Sequence, residues 1–145
     1  MQTFAKGVVG DVRDRGPTVI DPNLRNAMAL FAGMWLYGLN YVVDPKSSYA
    51  ELSENSSAVD YLQFPRQTLQ YRAGDCDDLS ILYAALLESI GVSTAFVTVP
   101  GHIYLAFALN MTDKEAQRTF SRVDDLIVRD RTAWVPVEVT LLQSG

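Results

Sequence analysis

Between Leu24 and Trp35 the apolar residues Leu24, Ala27, Leu30, Phe31, Met34 and Trp35 recur every three or four positions. That is the period of a helix with one buried face. Asp21-Pro22 stands before them as a start signal, an Asp N-cap with Pro in the first helical position. The helix is expected to run from there to about Gly38, its aromatics packed in the core. A second helical period, Leu79, Leu82, Leu86 and Ile90, follows Gly74-Asp75-Cys76-Asp77-Asp78 and stops at Gly91, a C-terminal cap. It is the more apolar of the two and is expected at the centre of the fold.

After Gly91 the period changes from helical to alternating. Val92 to Val99 reads as a β-branched strand, Pro100-Gly101 as a turn, and His102 to Leu109 as a second strand. Asn110 to Ser121 is polar, a loop or short helix. Val123 to Val128 and Trp134 to Val139 read as a hairpin around Arg129-Asp130-Arg131. Earlier in the chain, residues 1–20 are rich in Gly and charge and break at Gly16-Pro17, which predicts an extended arm or linker. Asp44-Pro45 closes the segment after the first helix. Lys46 to Ser57 is polar and turn-like, and Val59, Leu62, Phe64 and Leu69 mark a short helical or irregular stretch around Pro65. Helices followed by an antiparallel sheet make an α+β arrangement. The division expected is an arm over 1–20 and one domain over 21–145.

Composition narrows the function classes. The chain has 145 residues, 48% hydrophobic and 20% charged, an ordinary globular balance. Its net charge of −5 and lack of any Lys/Arg run argue against nucleic acid as a partner. No stretch is apolar and long enough to cross a bilayer. Met1 to Gly10 lacks the charged start and apolar run of a signal peptide. The end at Gly145, just after a strand-like run, reads as a piece cut from a longer chain.

There is one cysteine, Cys76, and one histidine, His102. A lone cysteine is by default a small buried apolar residue. Cys76, however, stands in the first turn of the central helix, where backbone N–H groups favour a thiolate and can stabilise an oxyanion. His102 opens a strand right after Pro100-Gly101, at the rim of a sheet, where it can serve as base and proton carrier. Glu138 lies in an otherwise apolar run, Trp134-Val135-Pro136-Val137-Glu138-Val139, and can orient the imidazole if the two strands are neighbours. Asp124 and Asp125 are the fallback orienters. Asp75, Asp77 and Asp78 crowd negative charge around the thiol, which opposes its ionisation. They either cap the helix or, at this spacing, suit a Ca²⁺ ion.

Together, Gly74-Asp75-Cys76-Asp77-Asp78-Leu79, Gly101-His102 and Trp134-Val135-Pro136-Val137-Glu138-Val139-Thr140 resemble the transglutaminase-like core. The approach Asp60-Tyr61-Leu62-Gln63-Phe64-Pro65-Arg66-Gln67-Thr68-Leu69 resembles the bacterial transglutaminase-like cysteine peptidases. The resemblance runs from about Tyr41 to Thr140. It implies a papain-like fold, a peptide or protein substrate, and an extracytoplasmic or periplasmic setting. By position it makes Cys76 the nucleophile, His102 the base and Glu138 the orienting acid of a cysteine hydrolase. An amine-accepting transglutaminase and a non-catalytic binding module are the alternatives. Relatives similar to this chain bind calcium through the acids flanking the cysteine, here Asp75 and Asp77. No other cofactor is required. The family usually has Asp where Glu138 stands, and Glu where Gln67 stands. Gln63 and Gln67 are the candidates for the side-chain half of an oxyanion hole.

Overall fold

A computed structural model describes residues 1–15, 20–43 and 62–142. Asp44-Pro45, the polar stretch from Lys46 to Ser57, Val59 and the Gly16-Pro17 break lie outside the described residues.

The helix expected after Asp21 is present as α2, Pro22–Leu36. Asp21 Oδ1 accepts the N–H groups of Asn23 and Leu24 at 2.9 and 3.0 Å, so the cap acts as the sequence implies. Two more hydrogen bonds tie this end to the sheet: Asn110 N–H donates to Asp21 Oδ2 and Asn23 Nδ2 donates to the Ala108 carbonyl, both at 2.9 Å.

Residues 2–15 depart from the expected extended arm. Gln2–Arg15 forms helix α1. Ala5 is fully buried, and Phe4, Val8 and Val9 pack on the core. Gly7 and Gly10 dilute the helical period and lower intrinsic propensity, so packing against α2 decides the conformation.

Beyond α2, a two-residue strand β1 (Asn40–Tyr41) pairs in parallel with β2 (Ala73–Gly74), which follows helix α3 (Pro65–Tyr71). The central helix is α4, Cys76–Glu88. Then come β3 (Thr94–Val99), β4 (His102–Thr112), the short helix α5 (Asp113–Thr119), a 3-10 turn (Val123–Asp125), β5 (Ile127–Arg129), β6 (Thr132–Val137) and a last 3-10 turn (Val139–Leu141). The sheet is antiparallel, in the order β3-β4-β6-β5. The whole is α+β, as expected.

Strand ends differ from the sequence reading. β4 runs three residues past Leu109, and α5 starts on a capping box in which Thr112 and Glu115 each hold the other's backbone N–H. The expected strand from Val123 is a 3-10 turn before β5. The expected strand through Val139 ends at Val137, so Glu138 and Val139 leave the sheet.

α4 carries its apolar face into the middle of the molecule. Leu79, Leu82, Leu86 and Leu87 are fully buried with Leu30 and Met34 of α2, Leu105 and Phe107 of β4, and Val139 and Leu142 beyond β6. At roughly 1.5–3 kcal/mol per buried large side chain, this helix is the main anchor of the fold. Tyr83 Oη, buried in the same contact, donates to the Ala27 carbonyl at 2.7 Å. The start of α4 is therefore fixed against the sheet edge where β4 begins.

Candidate active site

Two close approaches set the start of α4. Asp75 caps the helix: its Oδ1 accepts the N–H groups of Asp77 and Asp78, both at 3.0 Å. Asp78 is almost completely buried, 3% exposed. Its carboxylate accepts from Gln63 twice, from N–H at 2.8 Å and from Nε2 at 2.7 Å, and the Asp75 N–H also points at it at 3.4 Å. This ties the approach to α3 onto α4. Gly74 is needed here for space: a Cβ would lie 2.7 Å from Asp78 Cβ and 3.2 Å from Thr68 Cγ2.

Cys76 is the first residue of α4 and is part-buried. Its S–H faces Asp77 Oδ1 at 3.5 Å. Burial, then the charges of Asp77 and Asp75, push the thiol up to about 11; the N–H of Ile103 works in the opposite direction. The helix start thus does not lower this thiol, contrary to the sequence argument. The Ile103 interaction also locates the sulfur beside the first residues of β4.

His102 is that strand's first residue, delivered by the Pro100-Gly101 turn, where Gly101 takes the left-handed φ of +76° that glycine allows. β4 and β6 are neighbours, in the register Leu105↔Val137. The pairing brings Glu138, one residue past β6, to His102: Nε2 and Oε2 are 2.6 Å apart, with side chains 32% and 35% exposed. With the proton on Nε2 the ring donates to the carboxylate, leaving Nδ1 as the nitrogen available to a thiol. The other carboxylate oxygen, Oε1, accepts from Thr140 Oγ1 at 2.7 Å and Thr140 N–H at 3.0 Å. Burial raises the Glu138 carboxyl, but the bonds from His102 and Thr140 outweigh it and hold it below its ordinary value. The His102 ring stacks on Tyr104, centroids 6.3 Å apart. Tyr41 is close enough for Cys76, Asp75 and Glu138 to raise its hydroxyl, in addition to the larger effect of burial.

His102 and Glu138 are brought together, and the Cys76 sulfur meets the backbone of Ile103, the residue after His102, while its S–H faces Asp77. The other candidates are employed elsewhere. Gln63 Nε2 holds Asp78, and Gln67 Oε1 accepts the Phe64 N–H as a cap of α3. Asp124 and Asp125 sit in an exposed turn away from the imidazole's partner, and Asp125 pairs with Arg122 at 3.0 Å. The acid that meets His102 is Glu138, brought there by the register of β4 and β6. Asp75 and Asp77 act as cap and thiol acceptor. Among the described residues no group of three or more His, Cys, Asp or Glu is placed to hold a metal ion. Thr140 was missed by sequence reasoning. The only signal for it was a hydroxyl two residues beyond a candidate acid.

The same lineage emerges from comparison. The family model described as a transglutaminase-like domain matches residues 30–110, more than half the chain. The chain belongs to this transglutaminase-like family. No curated protein and no solved structure matches it. Among the described residues no helix is long and apolar enough to cross a membrane.

Proposed function

We propose that this chain is a thiol hydrolase acting on an amide or peptide bond through an acyl-enzyme on Cys76. The observation that carries the proposal is the 2.6 Å contact of His102 Nε2 with Glu138 Oε2, at the strand end where the Ile103 N–H acts on the Cys76 sulfur. An imidazole with one nitrogen committed to a carboxylate, on the residue before the one whose N–H meets a thiol sulfur, supports the reading of a base and its orienter.

The protonated thiol shapes the mechanism. Cys76 rests as S–H, so His102 takes its proton as the sulfur attacks rather than storing it beforehand. A bond forms between sulfur and the carbonyl carbon while the proton moves to Nδ1. The C–N bond then breaks, and that proton leaves on the amine. Water attacks the thioester, giving its proton to Nδ1 and then to the departing sulfur, which restores the thiol and releases the acid. The His102 ring is positively charged in between, and the Glu138 carboxylate stabilises that charge. An amine in place of water makes the same site a transglutaminase.

One observation favours a second reading, a fold kept for binding: the S–H is engaged by Asp77 at 3.5 Å rather than by His102. Mass spectrometry with a panel of activated acyl esters and peptide amides separates the two. The enzyme reading expects an acyl group on Cys76 that is lost with time in water, and an acylation at least about 10²-fold slower in His102→Ala. Equal acylation of wild type and His102→Ala, or none at Cys76, leaves the binding reading.

A further inference from the structure

We propose that Thr140 is a positioning residue, which aims the Glu138 carboxylate at His102 and so orients the imidazole. This rests on the reading of Cys76, His102 and Glu138 as one site. Thr140 touches neither the thiol nor the ring.

The two oxygens of Glu138 are divided between two tasks. Oε2 meets His102 Nε2, while Oε1 takes both donors of Thr140, the hydroxyl at 2.7 Å and the backbone N–H at 3.0 Å. A carboxylate held by two donors on one oxygen has its plane fixed, and the second oxygen then points one way. The need for this follows from the residue type. Glutamate has one more torsion than aspartate, and each freely rotating bond must be ordered before a partner can be aimed. The backbone gives no help, because Glu138 has already left β6 and stands at the head of the Val139–Leu141 turn, where its carboxylate doubles as the turn's cap.

Thr140 itself stands on a firm base. Val139, the first residue of the turn, and Leu142, just after it, are fully buried, and the Leu142 carbonyl accepts the Tyr41 N–H at 2.9 Å. The hydroxyl is thus carried by a backbone tied to both the core and β1. Removing it leaves one donor, the N–H, about which the carboxylate can swing away from the ring.

The single histidine makes the test direct, since every imidazole signal belongs to His102. Solvent exchange of the Nε2 proton is followed by NMR, and the rate of Cys76 alkylation by iodoacetamide is measured alongside. The variants are Thr140→Val, Thr140→Ser and Glu138→Gln, with Thr140→Ala standing in should Thr140→Val not fold. The expected result is ring-proton exchange about fivefold faster in Thr140→Val, the size of one hydrogen bond, with slower alkylation, and both restored in Thr140→Ser. Wild-type exchange in Thr140→Val alongside fast exchange in Glu138→Gln overturns the role of Thr140 and leaves the Glu138–His102 pair standing. Wild-type exchange in both overturns the pair and the positioning with it. Exchange that responds as expected, with alkylation unchanged in all three variants, supports the positioning and refutes the service of the pair to Cys76.

Discussion

At the scale of single residues, Cys76 and Asp77 oppose each other. A helix start is worth about 0.3–1 kcal/mol to a nearby negative charge. Burial, then the charges of Asp77 and Asp75, act against it and push the thiol up to about 11. Burial and the acid charges therefore win. Asp77→Asn keeps an oxygen in reach of the S–H and removes one charge. The thiol of this variant is expected to ionise at lower pH, so its iodoacetamide profile shifts to the acid side and the rate at pH 8 rises severalfold. Superimposable profiles would show that the charge of Asp77 does not reach the sulfur. The positions of Cys76 and His102 were legible because each is the only residue of its kind and stands at the edge of an element. Glu138 was legible as a charge in an apolar run. The side to which the acids tip the thiol was not, since sequence gives no distances.

At the scale of elements, caps were readable and close approaches were not. Asp21-Pro22 marked α2 by local chemistry that survives in the fold. Asp75 and Asp78 cap α4 reciprocally, a pattern visible in their spacing of three. What the spacing did not reveal is that Asp78 is the buried member that fastens Gln63. That depends on where the approach to α3 packs. Gly74 shows the same limit. Two residues before Cys76 it reads as a turn residue, yet it serves because Asp78 and Thr68 crowd the place where a side chain would be. Gly74→Ala is expected to cost about 1–3 kcal/mol, the range of an overpacked site. Because the strain falls on the cap of α4, Cys76 acylation should fall as well. A thermal midpoint and acylation rate equal to wild type would show that Asp78 yields without loss. Strand ends were the least legible feature. Glu138 continues an alternating apolar run and yet leaves β6, because Val139 and Leu142 turn inward to fill the core beneath it.

For the whole molecule, the decisive difference is α1. As an arm it would leave the outer face of α2 open; as a helix it closes that side of the core. Its packing depends on Gly33 of α2, where an added Cβ would meet Val8 Cγ2 at 3.2 Å and Cγ1 at 3.3 Å. The contact continues through Phe4, edge-on to Tyr37 at 5.8 Å, and Arg72 over the Tyr37 ring at 4.7 Å, linking α1 and α2 to the end of α3. None of this is visible in α1's own sequence, where two glycines and β-branched residues weaken the helical pattern; the helix exists because α2 offers it a seat. Gly33→Val tests the seat. The new Cβ alone already crowds Val8 at 3.2 and 3.3 Å, so a loss of about 1–3 kcal/mol is expected, seen as a midpoint lower by several degrees at about 2–4 °C per kcal/mol. Val8→Ala, by making space, should reduce the effect of Gly33→Val, a coupling that two independent sites would not show. Trypsin supplies the second readout, with cleavage at Lys6 slow in the wild type and faster in Gly33→Val. Additive midpoints together with rapid cleavage of the wild type at Lys6 would return residues 1–15 to the role of a linker.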